Sequence, residues 1–238
     1  MSTMLGSLLE HMGAALRPTG LCELCALPSR QTLCEPCTGQ YLSGAEPRCS
    51  HCGLALPAGN FICGACLRSP PPYIQTLTLG DYGVPIDRLI QRLKFGDEPA
   101  IGRWLGQRLA ARWQAAGHPR PGLVLPIPLS SVRLQQRGYN QAWEMARSFA
   151  RELRVTARSD VLVRVREMPP QSSLPLALRT KNVRGVFAAP GPCKAQDVVL
   201  IDDVMTTGST LGEAASVLLR AGAAAVRVAV ALRTPPSG

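Results

Sequence analysis

Val198-Val-Leu-Ile-Asp-Asp-Val-Met-Thr-Thr-Gly-Ser-Thr-Leu211 runs through a strand, a carboxylate pair, a small-residue turn and a helix start in one short stretch. Val198 to Ile201 form an uninterrupted apolar run, the pattern of a strand covered on both faces. Asp202 and Asp203 follow at its C-terminal edge, the edge at which open α/β sheets bind ligands. From Thr206 to Thr210 the side chains are small or hydroxylated, and Gly208 tolerates a positive φ. Main-chain amides can therefore converge on an anion where Ser209 and Thr210 open the next helix. A phosphate site thus adjoins a carboxylate pair suited to the hydroxyls of a polyol.

Outward from this stretch, strand and helix patterns alternate, as in a parallel sheet with crossover helices. Tyr73 to Leu79, Leu123 to Ile127, Val161 to Val165 and Val226 to Leu232 read as further strands. Helices are expected around Pro85 to Phe95, Ala100 to Ala116, Ser209 to Arg220, and from an N-cap at Asn140. Trp104, Trp113 and Trp143 sit at helical spacings among apolar neighbours and are read as core, with base stacking a minor alternative.

Eight of the nine cysteines form C-x-x-C pairs: Cys22/Cys25, Cys34/Cys37, Cys49/Cys52 and Cys63/Cys66. Two residues between thiolates let one turn direct both sulfurs at a single tetrahedral ion, so four pairs provide for two Zn²⁺ sites. Sequential sites resemble a double zinc ribbon, and an interleaved arrangement would use the same residues. His51 is read as a spacer and Cys193 as an inert loop thiol.

The proline-rich joint Leu67-Arg-Ser-Pro-Pro-Pro72 separates this head from the rest. The expected organisation is a helix or tail over 1–20, a double zinc-ribbon domain over 21–69 and a second domain over 70–238. Residues 1–69 hold four arginines and four glutamates, so the net charge of +10 resides beyond them, in 22 basic against 12 acidic residues. That balance suits an anionic ligand or a nucleic-acid strand. Met1 to Arg17 carries Glu10 and His11 where a secretory segment needs an unbroken apolar core, and no uncharged run is long enough to span a bilayer. A cytoplasmic protein without a membrane span is expected.

The order hydrophobic run, Asp-Asp, two residues, Thr-Thr-Gly-x-Thr resembles the PRPP-binding signature of type I phosphoribosyltransferases. Further landmarks are Tyr82-Gly83, Leu93-Lys-Phe-Gly-Asp97, Leu125-Pro-Ile-Pro-Leu129, Arg137-Gly-Tyr-Asn-Gln141, Gln171, Leu174, Arg179, Asn182 and Phe187. With the cysteine-rich head, they make the chain similar to the ComF/GntX group, competence-associated proteins with a phosphoribosyltransferase domain, from residue 20 onward. The resemblance implies a type I phosphoribosyltransferase fold in which Thr206, Thr207, Gly208, Ser209 and Thr210 hold the ribose 5-phosphate. Asp202 and Asp203 would hold the 2- and 3-hydroxyls and stabilise an oxocarbenium-like state as pyrophosphate leaves. Mg²⁺ would arrive on PRPP oxygens. Thr206 stands where hypoxanthine and guanine salvage relatives carry an aspartate, which argues against a 6-oxopurine acceptor.

Pro126 to Gly138 resembles the pyrophosphate loop of these folds and places Arg133 and Arg137 in reach of a diphosphate, with a helix N-terminus following. Gln171, Arg179, Lys181, Asn182 and Arg184 occupy the segment such enzymes use as a flap, or else they tie a loop to the sheet. Three functions follow from the resemblance: phosphoribosyl transfer to an unidentified nitrogen acceptor, non-catalytic sensing of PRPP or a nucleotide, and handling of single-stranded DNA with DNA-uptake partners.

Overall fold

The computed structural model describes residues 20–166, 184–194 and 197–236. The helix expected within Met1 to Arg17, and Gln171, Leu174, Arg179, Lys181 and Asn182, lie outside the described residues. The chain forms β1 (Gly20–Leu21), β2 (Pro28–Ser29), α1 (Glu35–Leu42), α2 (Gly64–Arg68), β3 (Gln75–Asp81), α3 (Asp87–Phe95), α4 (Pro99–Ala115) and β4 (Leu123–Pro126). There follow α5 (Ser131–Arg137), α6 (Gln141–Leu153), β5 (Val163–Arg164), β6 (Phe187–Ala188), β7 (Asp197–Met205), α7 (Ser209–Arg220) and β8 (Ala225–Arg233).

Strands β3, β8, β7 and β4 lie side by side in that order, and every pairing between them is parallel. The apolar run of β7 is covered on both faces because the pleat divides it. Val199 and Ile201 join a core with Leu105, Leu109, Trp113 and Phe149 of α4 and α6, while Val198 and Leu200 join Leu211, Ala214 and Leu218 of α7. Each fully buried large apolar side chain contributes about 1.5–3 kcal/mol, so the sandwich of helices on both faces is what makes an unbroken apolar strand stable.

Helix α6 begins where Asn140 accepts a hydrogen bond from the Ala142 amide at 2.9 Å. Its buried Met145, Ala146, Phe149 and Leu153 share the face that meets α4. The two helices approach closely at Gly106, where a β-carbon would run into the Met145 carbonyl. Trp104 and Trp113 of α4 are buried, as expected, and Trp143 packs at the margin of the same core.

Two expectations change. Val161 to Val165 supplies only β5, which pairs antiparallel with β6 in a two-stranded sheet apart from the main one. Residues 131–137, read as loop, form α5, capped by the Ser130 hydroxyl at the Arg133 amide and closed by Gly138 in the left-handed conformation.

Candidate functional site

The C-terminal ends of β3, β4, β7 and β8 open into a cavity of about 320 Å³. Asp202, Asp203, Thr206, Thr210, Arg133 and Arg137, each singled out from sequence, line it together with Lys94, Tyr82, Asn140 and Arg164. Thr207, Gly208 and Ser209 belong to the same turn but are not among the lining residues.

The doublet is asymmetric. Continuing the pleat of β7 turns Asp203 toward the side of Val199 and Ile201, the side on which α3 packs, and Lys94 in the last turn of α3 sets its Nζ 2.9 Å from Asp203 Oδ2. Asp203 Oδ1 accepts the Val204 amide at 2.9 Å. Burial alone would raise the Asp203 carboxyl, but the Lys94 charge and these hydrogen bonds outweigh it and hold the group below its ordinary value. Asp202 is half-buried and accepts the Asp203 amide through Oδ1 at 2.9 Å. Burial, reinforced by the neighbouring Asp203 charge, pushes its carboxyl well above the ordinary range. The two carboxyls thus differ in surroundings: Asp203 has a cation beside it, and Asp202 has the Asp203 charge.

Gly208 caps α7 with φ 79° and ψ 0°, the left-handed conformation that the turn requires. A β-carbon there would come within 2.8 Å of Tyr73 Oη. Within the turn, Thr207 Oγ1 lies 2.8 Å from Ser209 Oγ and accepts the Ser209 amide at 3.3 Å, so this amide is partly engaged by its own turn. The amides that follow in the first turn of α7 have no partner inside the helix and carry the positive end of its dipole. From behind, Arg233 holds the turn: it donates through Nη1 to the carbonyls of Met205 (3.1 Å) and Thr206, and through Nε to Cys52 at 2.9 Å.

Opposite the turn, α5 brings Arg133 and Arg137 to the cavity. Burial lowers the Arg137 pKa, and both doublet carboxylates act against that change. Its guanidinium carbon also stands 5.3 Å from the ring centroid of Phe95, a side chain 73% exposed. Asn140 caps α6, donates to the Ile127 carbonyl at 3.1 Å and brings that helix N-terminus to the cavity wall.

The eight paired cysteines form two clusters, Cys22, Cys25, Cys34, Cys37 and Cys49, Cys52, Cys63, Cys66, with all sulfurs of a cluster within 4.8 Å of one another. The arrangement is sequential, and His51 belongs to neither cluster. Both are built alike: a turn supplies the first pair, and a helix supplies the second from its N-cap (Cys34, Cys63) and the position three residues on (Cys37, Cys66). The Cys34 amide donates to Cys22 Sγ and the Cys63 amide to Cys49 Sγ, each at 3.3 Å. Burial opposes ionisation of Cys22, but amide donors hold its thiol down to about 6, and the same balance holds Cys49 down to about 7. Such sets of preorganised sulfurs fit a tetrahedral thiophilic ion. Cys193 is buried against α7 and its neighbours, away from both clusters.

Lys94 and Arg233 received no individual role from the sequence. Lys94 was visible only within the landmark Leu93 to Asp97, although a lysine is unusual in a chain of 23 arginines and three lysines. Arg233 ends a strand that is apolar from Val228 to Leu232, a charge placed where burial is expected, and that was its signal.

Residues 135–237 match the phosphoribosyl transferase domain family. The chain is similar to the DNA utilization protein YhgH of Escherichia coli (strain K12), 34% identical over 223 residues that cover 90% of this chain and 97% of that protein. Competence protein F of Haemophilus influenzae is 32% identical over 207 residues, 84% of this chain and 90% of the relative. Competence protein ComFC of Bacillus subtilis is 26% identical over 151 residues, 63% of this chain and 60% of the relative. The acidic doublet, the threonine turn and Arg137 lie inside the matched domain, and Lys94 and the cysteine clusters precede it.

Proposed function

We propose, since this chain belongs to the ComF family of competence-associated proteins, that its cavity binds a phosphoribosyl ligand, PRPP with Mg²⁺, and transfers the phosphoribosyl group to a nitrogen acceptor. The observation that carries this reading is the convergence of the doublet, the turn and Arg137 on one cavity. The turn from Thr206 to Thr210 receives the 5-phosphate at the N-terminus of α7. Arg133 and Arg137 face the diphosphate, for which planar, permanently charged guanidinium groups are suited. The Asp202 carboxylate faces the pentose hydroxyls. In the transfer, the bond from the anomeric carbon to the diphosphate breaks with its electron pair on the leaving oxygen, the acceptor nitrogen bonds to that carbon, and the nitrogen loses a proton. A carboxylate beside the ring stabilises the positive charge that develops. When bound, Mg²⁺ offsets the charge of the diphosphate, and Asp202 is the doublet carboxylate open to it. Each cysteine cluster holds a structural Zn²⁺.

Titration calorimetry of the zinc-loaded chain with PRPP and Mg²⁺ tests the reading. Saturable binding is expected, and Arg137→Ala should weaken it about 10- to 100-fold, the loss of one charge-assisted contact. Arg151→Ala, on the outer surface of α6, should leave it unchanged; equal losses in the two variants remove Arg137 from the site. Pyrophosphate release in the presence of amines, bases and nucleotide precursors tests turnover.

The exposed Phe95 ring beside Arg137, at the edge of a basic domain, favours a second reading in which the site engages single-stranded DNA. The names of the relatives, a DNA utilization protein and a competence protein, agree with it. Affinity for an oligonucleotide that falls steeply with salt and is weakened by Phe95→Ala supports this reading; no binding at low salt removes it.

A further inference from the structure

Side-by-side carboxylates inside a protein repel one another and lose hydration, and a site built on them needs a compensating cation. Lys94 meets that need from within the chain. Its Nζ lies 2.9 Å from Asp203 Oδ2, the two side chains are 22% and 10% exposed, and Lys94 lines the cavity. The second oxygen of Asp203 accepts the Val204 amide, so one oxygen is held by the backbone and the other by the Lys94 charge. Asp202 lines the cavity as well, accepts the Asp203 amide through Oδ1 and meets the Asp203 carboxyl, but has no cation of its own at ion-pair distance among the described residues.

The ion pair is more than an anchor for α3. Leu89, Ile90 and Leu93 already bury the inner face of that helix completely, and the Leu93 carbonyl accepts the Tyr139 hydroxyl. The residue type fits the task as well. An ammonium is a compact point charge that needs only the one oxygen facing it, Asp203 Oδ2.

We propose that Lys94 is the resident cation of the doublet: it neutralises Asp203, leaves Asp202 as the one carboxylate that meets the pentose hydroxyls, and lets a phosphorylated pentose bind there without a divalent ion. This rests on the phosphoribosyl reading of the cavity. It separates the two demands on Mg²⁺, which is then required by the diphosphate and not by the ribose.

Calorimetry with ribose 5-phosphate, which lacks the diphosphate, and with inorganic phosphate, each with and without added MgCl₂, tests the proposal on the zinc-loaded chain. Ribose 5-phosphate should bind the unaltered chain with an affinity that Mg²⁺ changes by less than about twofold, as expected where Lys94 already balances one carboxylate and the pentose hydroxyls meet the other. Lys94→Met should weaken ribose 5-phosphate about tenfold or more without Mg²⁺, with partial recovery on its addition, and leave inorganic phosphate unaffected. The double variant Lys94→Met, Asp203→Asn removes the stranded charge along with its partner, so it folds without an unpaired buried ion and should recover most of the lost affinity. Binding of ribose 5-phosphate to the unaltered chain that depends on Mg²⁺, or a double variant as weak as Lys94→Met, overturns the proposal while the cavity reading stands. If neither inorganic phosphate nor ribose 5-phosphate binds the unaltered chain, the cavity reading falls and the proposal falls with it.

Discussion

Asp202 shows what the site costs the protein that carries it. A carboxyl whose folded pKa lies above its unfolded value loses stability as pH rises, because the unfolded chain ionises first. Below the unfolded value there is no loss, and it develops fully once pH passes the folded value. Asp202→Asn should therefore melt higher than the unaltered chain at neutral pH in the absence of ligand. About 1 kcal/mol, discounted for the solvent contact Asp202 retains, corresponds to roughly 2–4 °C for a chain of this size. Asp203 runs the other way, its lowered pKa contributing stability at neutral pH that is lost in acid. Thermal scans of Asp202→Asn from pH 4 to 8 check the sign, and a gain that grows toward acid contradicts the assignment. Both aspartates were legible in sequence as a pair, but their inequality was not, since it depends on Lys94, more than a hundred positions earlier, meeting one face of β7.

At the scale of elements, α5 carries the two cavity arginines on two turns of helix with no buried residue of its own, so its ends matter more than its packing. Ser130 accepts the Arg133 amide at 3.2 Å. Ser130→Ala should cost about 1 kcal/mol and weaken phosphate-ligand binding by loosening Arg133 and Arg137, which melting and calorimetry read separately; unchanged affinity would show that the arginines do not depend on this cap. The signals for α5 were present in Ser130 and Gly138, a hydroxyl N-cap and a glycine past the C-terminus, but the prolines before them and the resemblance to a loop masked them. The reading of Val161 to Val165 failed for a different reason. A short β-branched run looks the same in a central strand and in a small two-stranded sheet, and only the partner, β6, decides. By contrast α7 was legible to the residue and β7 in its apolar run, although the strand continues through the doublet to Met205, because an unbroken apolar run, a glycine with positive φ and an amphipathic helix lie close together in sequence.

In the whole molecule, the two cysteine clusters are alike in build and unlike in attachment. Cys22 and Cys37 belong to the main core, together with Leu33, Leu42 and residues of α3 and α4, whereas Cys49, Cys63 and Cys66 form a small cluster with Leu54, Leu56 and Ile62. The C-x-x-C spacing made the ligands legible, but it could not distinguish these attachments, which depend on which surface of the sheet each module meets. Cys37→Ser should lower the melting temperature of the whole chain in a single transition, while Cys66→Ser should open the second module with a smaller loss of overall stability. Calorimetric scans distinguish these outcomes, and equal losses would mean that the second module is as deeply shared as the first.

Arg233 gives the second module a reach beyond its own fold, since one guanidinium spans from the Cys52 carbonyl to the carbonyls of Met205 and Thr206. Where binding at one end of such a bridge changes the affinity at the other, linkage requires the same factor in return. A phosphorylated pentose seated on the turn should therefore slow the escape of zinc from the second module into a competing chromophoric chelator, and Arg233→Met should abolish that protection while zinc still binds. Loosening of the second module would then reach the floor of the cavity through a single side chain.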